Sequence, residues 1–212
     1  MNILEEGAAQ LGISLTEDRL NSFAAYLREL NLWRGRINLL SRGDDREIIV
    51  KDFLDSLTIV KYLSMNSLVM DLGSGAGFPG IPLKIVRPDL KLLLLEATRK
   101  KVFFLKEAQR KLGLIDVEIR WVGEDRGLED LWGAFDFVVS RAFGSLPKFA
   151  ENGIQFSKRG GILLAMKGKK GKEELEESLH FLERMGLSLL FREEVRLPFL
   201  HQERVLIGLR KL

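Results

Sequence analysis

The 212-residue chain contains no cysteine. That excludes disulfide bridges, thiolate metal sites and cysteine nucleophiles, and it accords with a reducing compartment. Histidine is almost as scarce. His180 and His201 stand far apart, with no partner at ligand spacing, so no metal is expected. No apolar run approaches the roughly 20 residues that cross a bilayer. The opening Met-Asn-Ile-Leu-Glu-Glu lacks the basic segment and apolar stretch of a secretory leader. No membrane attachment and a cytoplasmic location are therefore expected. Charge of one sign is also missing: 33 Lys and Arg against 30 Asp and Glu leave a net +3. Bulk charge alone does not announce a nucleic-acid partner.

What is present divides the chain in two. Residues 1–62 read as a helical extension. Leu20, Phe23, Ala24, Leu27 and Leu30 follow helical spacing, with Thr16 at the helix start, and a second amphipathic stretch runs from Asp52 to Val60. Residues 63–212 alternate. Strands are predicted over 67–72, 90–96, 116–122, 135–140 and 160–166, and helices over 78–86, 99–112, 145–156 and 172–185. Leu187–Val195 and Arg204–Leu209 read as a closing antiparallel pair. Such alternation predicts an α/β, Rossmann-like, mainly parallel sheet covered on both faces.

One segment carries most of the chemistry. Asp71-Leu-Gly-Ser-Gly-Ala-Gly-Phe-Pro-Gly80 follows the first predicted strand and leads into a helix. Glycines at positions 73, 75 and 77 let the backbone approach a ligand closely, and the helix start offers unpaired N–H groups. Gly75-Ala-Gly77-Phe-Pro-Gly80 fits the dinucleotide pattern, which alone is weak. Asp71, two residues before the first glycine, can hold an ammonium group directly or through water, which favours S-adenosylmethionine over NAD. Glu96 ends the second strand, where an acid can accept from both ribose hydroxyls. After the third strand, Glu124 can accept from an adenine amino group. Arg141 follows the fourth strand at the edge facing the glycine loop, where its planar fork suits a carboxylate, phosphate or base edge. Basic residues cluster after strand ends. Arg99, Lys100, Lys167 and Lys169 are the candidate phosphate contacts, and Phe78, Phe143 and Trp33 are candidate platforms for a splayed base, although aromatics at such positions more often pack in the core.

These motifs resemble the RsmG (glucose-inhibited division protein B) family. The resemblance runs nearly end to end and rests on Asn38-Leu39, Phe53-Leu-Asp-Ser-Leu57, the loop from Asp71 to Pro82, Ser140-Arg-Ala142 and Lys167-Gly168. It implies a class I S-adenosylmethionine-dependent methyltransferase acting on N7 of a guanine in small-subunit (16S) ribosomal RNA, in a 30S subunit or assembly intermediate. A monomer is expected. The resemblance places cofactor contacts at Gly73, Phe78, Glu96, Ala97, Thr98, Gly123, Glu124 and Arg141. Family members often carry His before Phe53 and Thr after Leu39, where this chain has Asp52 and Leu40.

Guanine N7 has an available lone pair, so alkylating it requires alignment rather than a general base. The chain lacks an Asn/Asp-Pro-Pro-Tyr/Phe motif after the fourth strand, which argues against amino-group methylation of that type. Asp55 and Arg141 are the positioning candidates, with Asp55 able to face the cationic product. Two alternatives remain: a non-catalytic RNA-binding or assembly protein on the same fold, and an NAD-dependent oxidoreductase, for which no Tyr-Lys or His-Asp pair is evident.

Overall fold

The computed structural model describes residues 1–40, 43–123, 127–200 and 203–212. Its frame is a seven-stranded sheet: β1 (Leu68–Leu72), β2 (Lys91–Glu96), β3 (Val117–Trp121), β4 (Phe135–Arg141), β5 (Ser157–Lys167), β6 (Leu187–Arg196) and β7 (Glu203–Lys211). The strand order is β3-β2-β1-β4-β5-β7-β6. Strands β1 to β5 pair in parallel, while β7 lies antiparallel between β5 and β6. The central strands are buried on both faces, with Val69, Met70, Leu93, Leu94, Val138 and Val139 nearly inaccessible. Continuous apolar runs are what a doubly covered parallel sheet requires.

Helices α5 (Gly80–Val86), α6 (Arg99–Leu112), α7 (Leu146–Gly153) and α8 (Gly171–Arg184) cover the sheet. The strands and helices read from the sequence all occur, with ends shifted by a few residues. The largest shifts in the sheet domain are at β5, which starts three residues early, and α7, which ends three residues early; β5 meets β4 across an irregularity between Phe135 and Phe137. The N-terminal segment contributes α1 (Asn2–Gln10), α2 (Glu17–Arg34), and α3 (Asp45–Ile48) continuing through a π-helical segment (Ile49–Leu54) into α4 (Asp55–Leu57). Thr16 caps α2, its hydroxyl accepting from the Arg19 N–H at 3.4 Å. Phe23, Tyr26, Leu30, Phe53 and Leu54 from this segment share one hydrophobic core with Val69, Ile81 and Leu94. The first 62 residues thus build one wall of the space above β1 and β4.

The strand order reverses between β1 and β4. In an open α/β sheet, the crevice beyond the carboxyl ends of the strands at such a reversal is where ligands bind. The glycine loop leaves β1 there, and Arg141 leaves β4 opposite it.

Candidate functional site

A cavity of about 330 Å³ occupies this crevice, bounded by Gly73, Ser74, Gly75 and Phe78 on one side and by Asp52, Arg141 and Arg204 on the other. Its volume lies at the small end of the range for small-molecule sites.

The loop's shape follows from its residues. Gly73, Gly75 and Gly77 all have positive φ, at 78°, 59° and 95°. They serve different ends. A Cβ on Gly77 would stand 2.5 Å from Ile81 Cδ1 and 2.8 Å from the Tyr26 hydroxyl, so that glycine permits close packing underneath the loop. A Cβ on Gly75 would meet only the Gly73 carbonyl, at 3.9 Å, and otherwise open space beside the cavity. Tyr26, stacked on Phe53 with centroids 5.4 Å apart, donates its hydroxyl to the Ala76 carbonyl and fastens the loop from below. Nothing in the sequence pattern singled out Tyr26, which reads as one more apolar position of α2.

Asp71 takes a place that its position in the sequence does not show. It does not line the cavity; it is fully buried and turned under the loop, where Oδ2 accepts from the Gly80 N–H at 2.9 Å. Its Oδ1 is buried without a hydrogen-bond partner among the described residues. Burial raises the carboxyl to about 7, against the lowering pull of the Gly80 N–H and Arg141. The folded state therefore binds a proton between pH 3.8 and about 7 that the unfolded chain does not. This group's contribution to stability is complete at low pH and is lost as pH rises towards 7. Asp71→Asn cannot titrate. From about pH 5 to about pH 8, wild-type unfolding free energy is expected to fall relative to that variant by roughly 3 kcal/mol. Urea unfolding at the two pH values checks this; an unchanged difference would rule it out.

Glu96 is also more engaged than its position suggests. Its Oε2 accepts from the Gly75 N–H and its Oε1 from the Thr98 N–H, both at 2.7 Å. It ties the glycine loop to the start of α6, and each oxygen keeps one lone pair. Ala97 and Thr98 are exposed at this edge, and the Ala97 carbonyl accepts from the Trp121 indole N–H at 2.8 Å. Gly123 is exposed close to the Trp121 ring. Glu124, expected to face an adenine, lies outside the described residues, as does His201.

The opposite wall is an ion cluster with two acids and two arginines. Arg141 donates to the Lys51 carbonyl at 2.8 Å, to Asp52 Oδ1 at 2.6 Å and to Asp55 Oδ2 at 3.4 Å. Its guanidinium carbon lies 4.8 Å from the Phe78 ring centroid. Arg204, arriving on β7, donates to Asp55 Oδ1 at 2.9 Å. The Arg141 fork, expected to suit a carboxylate, phosphate or base edge, is engaged by the α3–α4 segment while the residue still lines the cavity. Asp55, the other positioning candidate, stands behind the two arginines. It is fully buried, outside the cavity lining, with both oxygens on arginines. It positions Arg141 and Arg204, which do line the cavity. The π-helical segment that carries Asp52 towards Arg141 is of a type often found at functional sites. Arg204 was not foreseen, and no local signal marks it, since its partner lies 149 residues away.

Of the expected phosphate contacts, Arg99, Lys100 and Lys169 are exposed, with Arg99 5.5 Å from the Trp121 ring centroid. Lys167 is engaged within the protein, its ammonium held by Glu174 at 2.8 Å and by the Gly144 carbonyl. Among the aromatic candidates, Phe78 lines the cavity and Phe143 lies against Gly73. Trp33 packs edge-on to Phe104 under the α2–α6 face, away from the cavity.

The reversed strand order, antiparallel β7 and carboxylate-braced glycine loop define the fold of class I methyltransferases. Two solved structures share it: an S-adenosylmethionine-dependent methyltransferase from Aquifex aeolicus (TM-score 0.60, 22% identity, covering 80% of this chain and 95% of that one), and M. jannaschii TYW2 in complex with AdoMet (TM-score 0.61, 20% identity, 84% and 80%). The chain itself belongs to the rRNA small subunit methyltransferase G family, whose model matches residues 19–203. The ribosomal RNA small subunit methyltransferase G of Geotalea uraniireducens is 39% identical over 99% of this chain and 96% of its own length. That of Geobacter sulfurreducens is 39% identical over 97% and 94%.

Proposed function

We propose that this chain transfers the methyl group of S-adenosylmethionine to N7 of a guanine in small-subunit ribosomal RNA. Family membership supports the reading, and one observation carries it. A single cavity joins a loop with open space at Gly75 to a rigid, charge-balanced wall suited to holding a base. The open space at Gly75 and the two Glu96 oxygens beside it, each with a lone pair to spare, fit a nucleoside cofactor with ribose hydroxyls to donate. Gly73, Gly75, Phe78, Glu96, Ala97, Thr98 and Gly123 are the contacts we assign to it.

When bound, that cofactor supplies an electrophilic methyl. The protein's own task is alignment. Phe78 offers an apolar wall beneath the Arg141 guanidinium, and the ion cluster keeps that wall from shifting. Asp52 is the cavity's only carboxylate among the described residues, and Arg141 holds it. An unprotonated N7 needs no base, and effective alignment of two reactants is worth about 7–11 kcal/mol of barrier. In this reading the enzyme works as a cytoplasmic monomer without a metal, on a 30S subunit or an assembly intermediate.

The test is transfer of labelled methyl groups into small-subunit RNA from cells lacking the gene, offered as naked RNA and as 30S particles. Reduction and chain cleavage at N7-methylguanosine then locates the product. One new cleavage site is expected. Label at any other atom, or calorimetric preference for NADH over S-adenosylhomocysteine, would overturn the reading.

The exposed cations give a further expectation. Arg99→Glu and Lys169→Glu should each weaken RNA binding and lower the slope of log affinity against log salt by about 1, leaving S-adenosylhomocysteine affinity unchanged. Lys167→Glu should instead destabilise the fold, because it sets a second acid against Glu174. Salt titrations of RNA binding and thermal unfolding separate the two outcomes.

A further inference from the structure

We propose that Asp52 reads the Watson–Crick edge of the target guanine, its carboxylate accepting from N1–H and the 2-amino group while N7 faces the methyl donor. The inference rests on the function proposed above and adds the group that selects the base.

Three observations lead to it. Asp52 lines the cavity and its side chain keeps 18% of its accessible surface. Its Oδ1 is clamped by Arg141 Nη2 at 2.6 Å, so the carboxylate plane is fixed, while Oδ2 has no hydrogen-bond partner among the described residues. The neighbouring walls, Leu39, Leu40, Phe78 and Met166, are apolar and suit the faces of a planar ring. An oriented acceptor between apolar walls selects a ligand edge with donors.

Guanine matches that demand. Its ring donors, N1–H and the 2-amino group, lie together on the edge remote from N7. Adenine presents an acceptor at N1, which would oppose the carboxylate. A base held by the donor edge therefore presents N7 outward.

The same contact strengthens during reaction. Methylation at N7 makes the ring cationic and N1–H more acidic, so its hydrogen bond to a carboxylate tightens as the new bond forms. An interaction stronger in the transition state than in the ground state accelerates the chemical step. Asp52 does not remove the proton; it stabilises the charge that the ring acquires.

The test replaces the target guanosine by inosine, which lacks the 2-amino group but keeps N7, O6 and N1–H. Single-turnover kcat/KM is measured on both RNAs with wild-type enzyme, Asp52→Asn and Asp52→Ala. Wild type is expected to lose roughly 10- to 100-fold on inosine, the range for a hydrogen bond to a charged group. Asp52→Ala is expected to treat the two RNAs alike within about twofold, because the acceptor is gone. Should a variant be too slow, equilibrium binding of the two RNAs gives the same comparison.

An inosine penalty equal in wild type and variants, or absent from wild type, overturns the proposal. So does loss of S-adenosylhomocysteine affinity in both variants, which would assign Asp52 to the fold. If wild type labels no guanine at all, the underlying function fails instead, and the guanosine arm shows which has happened.

Discussion

Asp55→Ala is expected to lower the unfolding free energy by about 3 kcal/mol, the low end of the range for breaking a buried ion pair. Asp55 is fully buried and is the shared partner of Arg141 and Arg204, whose side chains are 18% and 24% exposed. Removing it leaves two guanidinium groups facing each other with only Asp52 to offset them. Their partial exposure allows water to relieve some of the cost, which is why the low end applies. For a chain of this length the melting temperature should fall by roughly 6–12 °C. Methyl transfer should fall further than stability alone predicts, since Arg141 loses its alignment over Phe78. Asp55→Ala combined with Arg204→Met removes one charge of each sign and should recover part of the loss. Thermal unfolding of the single and double variants checks this. A change under about 1 kcal/mol would mean that the cluster is not the strut described here.

Gly75→Ala should separate folding from cofactor binding. At φ 59°, alanine carries a left-handed strain of about 1 kcal/mol. The added methyl meets no crowding atom, since the nearest is the Gly73 carbonyl at 3.9 Å. A fall of only a few degrees in melting temperature is therefore expected. The same methyl stands beside the cavity against which the cofactor is proposed to lie, so affinity for S-adenosylhomocysteine should drop at least about 100-fold, equivalent to about 2.7 kcal/mol. Gly77→Ala gives the contrast: its Cβ would collide with Ile81 and the Tyr26 hydroxyl, so stability should suffer most. Calorimetry beside thermal unfolding reads both quantities. Equal affinity in wild type and Gly75→Ala would move the ligand away from this loop.

The strands and helices of the sheet domain were legible because period and punctuation agree: apolar runs such as Leu92–Leu95 end in acids or glycines at the ligand edge. The glycine loop was legible as a loop, and its acids as important. Their roles were not. Asp71 and Glu96 were expected to face a ligand, yet their resolved partners are the backbone N–H groups of Gly80, Gly75 and Thr98. A sequence shows that a carboxylate is near a loop, but not which way it turns. Lys167 shows a related limit. It is the last residue of β5, where Glu174 on α8 captures the ammonium, and that distance is fixed only once the helix packs. The Asp55–Arg204 pair joins chain positions too remote for any local pattern, so only the order of β5, β7 and β6 brings it together. Tyr26 was invisible because one hydroxyl on a buried helix face leaves no periodic trace.

Because Arg204 reaches its carboxylate only through β7, which threads between β5 and β6, the reaction crevice is finished by a strand that follows its other walls in chain order. A nascent polypeptide halted before that strand has its glycine loop in place but no completed wall. Such a fragment is a catalyst still lacking its keystone.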